Sequence, residues 1–231
     1  MIKCLVIGML IILSISSFAQ TSEPFCGTDA IYQNNPLLKQ EWINKTLALR
    51  NAKVGAVDPN MVFTVPVVFI VYNLGEAIGT GSNVSDATIN TTLQYINQAF
   101  RAQGSFSSGT DVKIQFQLAK YDNQCNASSG IVRINASGIP NYSNGFASSD
   151  VAMQNQLRTL TPTWSENNCI IIRLVNNMTD YGGYSYFWND MFVESAYANG
   201  NISASLLFTH ELGHSFSLLH TFEGDNNGAN C

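Results

Sequence analysis

Charged side chains are scarce in this chain. Asp, Glu, Lys and Arg together make up 12% of its 231 residues, and the formal net charge is −5. Such a weakly acidic chain offers no basic surface to a phosphate backbone, so nucleic acid is excluded as a partner. The hydrophobic fraction of 45% is nevertheless sufficient for one main domain with a sizeable core.

Long apolar runs are absent beyond the N-terminus, so we expect no stable membrane anchor in the mature protein. Residues 1–19 are predicted to be a signal peptide. Lys3 provides the positive charge, residues 5–15 form an apolar stretch too short for a typical membrane span, and Ser17 and Ala19 are the small residues of a cleavage site. We therefore expect a secreted, extracellular protein.

Cysteine is infrequent as well. One of the five cysteines leaves with the signal peptide, and the four that remain are Cys26, Cys125, Cys169 and Cys231. Disulfide bonding is expected because an exported chain meets an oxidising environment. Four cysteines allow three complete pairings, and the sequence favours none of them.

The segment after the signal peptide, residues 20–58, differs from the rest of the chain, and we call it the leader. It contains a helix-like stretch at 37–50. A strand rich in β-branched and aromatic residues follows at 62–72. Pro66 cannot donate to a β-ladder, so we expect this strand to lie at a sheet edge or to start irregularly.

Residues 59–231 form the predicted catalytic domain. Ser85 is a helix N-cap, and the apolar stripe behind it comprises Ile89, Leu93, Ile96 and Phe100. Further strands are expected at 112–118, 131–134, 169–175 and 184–187, with a weaker helix at 149–160. The order of strands and helices predicts an α+β fold with a mixed, twisted sheet.

The three histidines lie together in one segment, as His210, His214 and His220. Histidines four residues apart on a helix share a face, so His210 and His214 can bind one metal ion. Glu211 can then act as a general base on a water bound to that ion. His220 offers a third nitrogen and leaves the fourth zinc position open, as in catalytic sites. A different class of zinc peptidase takes its third ligand from a glutamate on a later helix. Glu223 follows the histidines too closely for that arrangement.

The spacing of His220 requires the helix to break soon after His214. A helix advances about 100° per residue, so a continuous helix would direct His220 to the wrong face. The motif resembles that of metzincin zinc peptidases, which turn back at a glycine three residues after the second histidine, and here that position is Ser217. The resemblance therefore implies a left-handed conformation at Ser217, at a cost of about 1–2 kcal/mol.

The run from His210 to Gly224, HELGHSFSLLHTFEG, resembles the pappalysin-type (cytophagalysin) metzincins. That family shows H-E-x-G-H-x-x-G-L-x-H-T-F, and the His-Thr-Phe continuation distinguishes it from other metzincins. The resemblance extends upstream over most of residues 60–225. It implies a metzincin-like catalytic domain with an active-site helix. It also implies a zinc endopeptidase with protein or peptide substrates.

The resemblance implies a role for each site residue. His210, His214 and His220 would be the zinc ligands and Glu211 the general base. An extended substrate would pair with an edge strand, for which residues 184–187 are the candidate. An aromatic core strand is the alternative interpretation of that segment. Calcium is a second possible ion by family analogy, although Asp180, Asp190 and Glu194 are interpreted as solvated loop charges.

The resemblance also implies that the leader, residues 20–58, is a pro-segment, because Cys26-Gly27-Thr28 resembles the latency segment of this group. Cys26 would then place its thiolate on the zinc. A structural disulfide is the alternative for this residue. If Cys26 serves latency, Cys125, Cys169 and Cys231 remain in the catalytic part. Because three is an odd number, one of them would need a disulfide partner outside this chain. The activating cut is expected near Arg50 and Asn51.

No methionine follows His220, although metzincins carry a methionine turn downstream of the third histidine. The lower subdomain of the family is therefore expected to be largely missing, and residues 1–231 alone are expected to have weak or no peptidase activity. A catalytically inert exported module that binds zinc or protein is the alternative function. Glu211 favours the enzyme, because an inert binder does not need a base.

Overall fold

The computed structural model describes residues 26–51, 58, 60–165, 167–186 and 190–220; the predicted signal peptide, Glu223 and Cys231 lie outside this part. The helices are α1 (Thr28–Asn34), α2 (Pro36–Asn51), α3 (Asp86–Phe100), α4 (Val151–Thr159) and α5 (Ile202–Ser215). The strands are β1 (Phe63–Asn73), β2 (Ile114–Leu118), β3 (Ile131–Asn135), β4 (Ile170–Val175), β5 (Gly183–Tyr186) and β6 (Asp190–Glu194).

The six strands form one mixed sheet in the order β2-β1-β4-β6-β5, with β3 also pairing with β1. All pairs are parallel except β5 with β6, which are antiparallel. The predicted α+β class with a mixed sheet is therefore confirmed. The strand order places β5 at one edge of the sheet, beside β6.

The first strand is central only from Val67 onward, because its first residues, including Pro66, pair with β2 alone. The expectation of a sheet edge or an irregular start agrees with this first part and is wrong for the rest of β1. β1 pairs with β2 and β3 on one side and with β4 on the other. The Phe63 amide donates to the Lys113 carbonyl, and the Val67 carbonyl accepts from the Ala119 amide. Phe63 and Val67 therefore direct their backbone groups toward β2. The nitrogen of Pro66 therefore faces the opposite side, where pairing with β4 begins only at Val67. The missing donor costs no ladder bond there.

Helices α3 and α5 cover one face of the sheet. Ser85 caps α3 by accepting from the Thr88 amide at 3.1 Å, as predicted. The predicted stripe of α3 packs into the core on this face together with Phe69, Leu207 and Phe208. The other face carries a second core, to which α4 contributes Met153 and Leu157 and the leader contributes Ile31.

Strand β6 was not foreseen, and its first residue is not a solvated charge. Asp190 is 2% exposed and accepts from Arg173 at 2.6 Å and from Arg158 at 2.8 Å. Asp180 accepts hydrogen bonds from Ser148. Because both carboxylates already have protein partners, calcium finds no support at these positions.

Disulfide bonds and membrane-spanning helices are both absent from the part of the chain that the structure describes. No disulfide joins Cys26, Cys125 and Cys169 to one another, so the expected disulfide finds no support among these three. The described residues contain no helix of sufficient length and apolarity to cross a bilayer.

Candidate metal centre

Helix α5 carries the first two histidines. Asn201 caps the helix by accepting from the Ser203 amide at 2.8 Å. Leu207, Phe208 and Leu212 are completely buried and anchor one side of the helix in the core. This anchoring fixes the direction in which the histidines project.

The end of α5 turns the chain back toward the histidines. Ser217 has φ +64°, so the predicted left-handed conformation is confirmed. Ser217 donates to the His214 carbonyl at 2.8 Å, and Leu218 donates to the Gly213 carbonyl at 3.1 Å. This is the hydrogen-bond pattern of a Schellman motif, in which glycine is usual at the left-handed position. The turn brings His220 back to α5.

The three histidines and Cys26 converge on one point. Their Nε2 atoms are 2.9 Å apart between His210 and His220, 3.1 Å between His210 and His214, and 3.2 Å between His214 and His220. Cys26 Sγ lies 3.5 Å from His214 Nε2. In a tetrahedral zinc site such pairs are about 3.3 Å apart for two nitrogens and about 3.5 Å for nitrogen and sulfur.

The hydrogen bonds on the outer nitrogens suit metal binding. His214 Nδ1 donates to the Leu218 carbonyl at 2.7 Å, and His220 Nδ1 donates to Asp29 Oδ2 at 2.7 Å. Each neutral ring then presents the lone pair of Nε2 to the centre of the cluster. Burial lowers the pKa of His210, and it lowers the pKa of His214 to about 4, which favours the neutral form.

The chemistry of this donor set fits a zinc ion. Three imidazole lone pairs directed at one point repel each other unless a cation lies between them. Burial raises the pKa of the Cys26 thiol, with Glu211 adding to the effect, so the bare site favours the neutral thiol. Coordination would reverse that preference, because a metal-bound thiol is deprotonated.

Glu211 lies beside the cluster and is completely buried. Burial raises the pKa of its carboxyl to about 8. The leader contacts it directly, since the hydroxyl of Thr28 lies 3.0 Å from Glu211 Oε2. The same hydroxyl accepts from the Ser185 amide at 3.0 Å. One leader side chain therefore contacts both the carboxylate and the edge strand β5.

The leader enters the site alongside the free edge of β5. Cys26 forms a parallel bridge with Gly183, and the Gly27 amide donates to the Gly183 carbonyl at 2.8 Å. A side chain at Gly27 would not fit, because an added Cβ would lie 2.6 Å from the ring of Tyr181. Tyr184 is also part of the core, as the aromatic-core interpretation of this segment expected. Substrate pairing at this strand stays a prediction, and Phe187 lies outside the described residues.

A cleft of about 360 Å³ borders the three histidines. It is lined by Thr209, His210, Gly213, His214, Leu218, Leu219 and His220. This volume lies within the usual range of ligand pockets. The histidines therefore border a cleft that the described leader residues, 26–51 and 58, do not line.

Sequence reasoning selected His210, Glu211, His214, His220 and Cys26, and the structure brings all five together. It missed Thr28 and Asp29, although both lie within three residues of Cys26. Their adjacency to a candidate ligand was the only available signal. The expected cut near Arg50 falls on the last residues of α2.

Comparison with known proteins gives a family match. Residues 86–221 match the family described as Metallo-peptidase family M12B Reprolysin-like. An extracellular metalloprotease from Sordaria macrospora is 27% identical over 225 residues, which cover 90% of this chain and 68% of that protein.

Two solved structures share the fold. Promirolysin from Tannerella forsythia, solved as a mutant, aligns with a TM-score of 0.64 at 21% identity and covers 86% of this chain and 70% of its own. Mature mirolysin from the same organism, in complex with a cleaved peptide, aligns with a TM-score of 0.56 at 22% identity. That alignment covers 72% of this chain and 67% of the mirolysin chain.

Proposed function

This chain belongs to the reprolysin-like metallopeptidase family M12B, and we propose that it is a secreted zinc endopeptidase held latent by its leader. The convergence of His210, His214, His220 and Cys26 on one point is the observation that carries the proposal. The Sordaria relative is named an extracellular metalloprotease, which supports secretion. The His-Thr-Phe continuation supports assignment to the pappalysin-type metzincins.

His210, His214 and His220 would hold the zinc ion. When bound, zinc lowers the pKa of a coordinated water to about 7 and polarises the scissile carbonyl. Glu211 follows His210 directly and would accept the proton of that water, then transfer it to the leaving amine.

The edge strand β5 would bind the substrate backbone. The Ser185 amide and the Gly183 carbonyl face away from β6 and bond to the leader. Once the leader leaves, these groups are available to an extended peptide, which would add as another strand. The protease would therefore recognise main chain at this edge, next to Glu211.

The leader would keep the enzyme latent by occupying these positions together. Cys26 Sγ takes the position at which a fourth zinc ligand belongs, Thr28 contacts Glu211, and Gly27 covers the β5 edge. Promirolysin covers a larger share of this chain than mature mirolysin does, which supports a pro-segment fold for the leader.

The test compares the protein before and after proteolytic removal of the leader. We expect weak, zinc-dependent cleavage of casein only after removal, because the lower subdomain is expected to be largely missing, and Glu211→Gln should abolish this cleavage while leaving one zinc bound. Cleavage that persists in Glu211→Gln would contradict the role of the base. Zinc binding without any cleavage after leader removal would favour an inert zinc-binding module instead.

A further inference from the structure

Asp29 of the leader contacts the third histidine from outside the cluster. Its Oδ2 accepts from His220 Nδ1 at 2.7 Å, across a sequence separation of 191 residues. The side chain of His220 is 8% exposed and that of Asp29 is 28% exposed. The opposite nitrogen of the same ring, Nε2, faces His210 at 2.9 Å. The imidazole therefore lies between a leader carboxylate and the candidate metal position.

His220 depends on such a contact more than the other two histidines do. His210 and His214 are part of α5, and the Nδ1 of His214 is bonded within its own segment. His220 follows the strained turn in an irregular stretch, where Leu218 and Leu219 are 63% and 42% exposed. Leu218 is bonded to α5 through its amide and its carbonyl, whereas the Nδ1 of His220 is held by Asp29 of the leader, so this hydrogen bond orients the ring.

A carboxylate on the outer nitrogen of a metal-binding histidine strengthens metal binding. It fixes the tautomer and the ring orientation, and it makes the inner nitrogen a better donor. Loss of such a partner typically lowers metal affinity about 10-fold to 100-fold. Here the partner belongs to the leader, so it leaves the site when the leader does.

We propose that the leader also acts as a metal-retention element, in which Asp29, through His220, makes the leader-bound protein hold zinc more tightly than the leader-free protein. The proposal rests on the proposed function, because it takes the three histidines as zinc ligands. Asp29 is a positioning residue that does not touch the metal. With Cys26 as a fourth protein ligand, the leader-bound site is closed like a structural zinc site, and it opens to three ligands when the leader leaves.

The test is a zinc competition titration of the full chain against a chromophoric chelator. Asp29→Asn should lower zinc affinity about 10-fold to 100-fold while one zinc per chain remains the stoichiometry. Glu41→Gln is the matched control, because Glu41 is an exposed leader carboxylate on α2 that pairs with Lys45. The control should match the unaltered protein.

Cobalt substitution separates this effect from simple displacement of the leader. The charge-transfer band from the Cys26 thiolate to Co²⁺ should persist in Asp29→Asn, because the leader stays in place. An affinity within twofold of the unaltered protein would overturn the proposal and leave the proposed function intact. Loss of the band together with affinity would also overturn it, since leader displacement would then explain the change. If the unaltered protein binds no zinc, the proposed function itself fails.

Discussion

Replacing Thr28 by valine removes one hydroxyl from the buried contact between the leader and Glu211, at nearly constant shape. Thr28 is 1% exposed, and its hydroxyl lies 3.0 Å from both Glu211 Oε2 and the Ser185 nitrogen. The substitution leaves the Ser185 amide and the Glu211 carboxyl without this partner in a buried site. A buried polar group left unsatisfied costs about 1–3 kcal/mol.

This cost falls on the leader-bound state alone, because water can reach Glu211 and Ser185 once the leader detaches. The equilibrium between attached and detached leader should therefore shift toward detachment by about 5-fold to 150-fold. Hydrogen exchange measures the shift, because the Gly27 amide bonds to Gly183 only while the leader is attached. Its exchange should accelerate by that factor in Thr28→Val.

Thr46→Val is the matched control for this experiment. Thr46 also belongs to the leader, but its buried hydroxyl has no hydrogen-bond partner among the described residues. Its replacement should leave Gly27 exchange unchanged or slow it slightly. Exchange at Gly27 that is the same in Thr28→Val and in the unaltered protein would refute the reasoning.

Three further substitutions test other parts of the account. Ser217→Gly should relieve the strain of the left-handed backbone and stabilise the protein by about 1 kcal/mol, which raises Tm by about 2–4 °C in calorimetry. Ser217→Ala keeps the Cβ and should not raise Tm. Equal gains in Tm from both variants would refute the strain at this position. Gly27→Ala should displace the leader, because the new Cβ would lie 2.6 Å from the Tyr181 ring, and should speed its proteolysis. Adding Tyr181→Ala should restore resistance, and failure to do so would exclude this clash as the cause. Asp190→Asn should lower the free energy of unfolding in urea by about 3–5 kcal/mol, because Arg173 is left as a buried charge with a neutral partner; a loss below 1 kcal/mol would contradict that.

Local signals in the sequence were reliable where one segment determines its own structure. Ser85 and the stripe behind it specify α3, since capping and helical periodicity act within a few residues. The spacing of His220 from His214 required a turn, and the resemblance to the metzincin motif located it at Ser217. The left-handed conformation could therefore be predicted although the usual glycine is absent.

Features that depend on distant partners were missed. Asp190 was interpreted as a loop charge, because the guanidinium groups that neutralise it come from β4 and α4, which are distant in the sequence. β1 is a central strand because β4 pairs with it from Val67 onward. The sequence around Pro66 does not show that a partner strand lies on that side. Thr28 and Asp29 reach Glu211 and His220 across 183 and 191 residues, so only the folded chain brings them into contact.

X-ray absorption at the zinc edge of the leader-bound protein tests the central claim most directly. The account predicts one zinc with three nitrogen ligands at about 2.0–2.1 Å and one sulfur at about 2.3 Å. These ligands would be His210, His214, His220 and Cys26. A coordination shell of nitrogen and oxygen without sulfur would contradict latency through Cys26, and a protein that binds no zinc would contradict the metal centre itself.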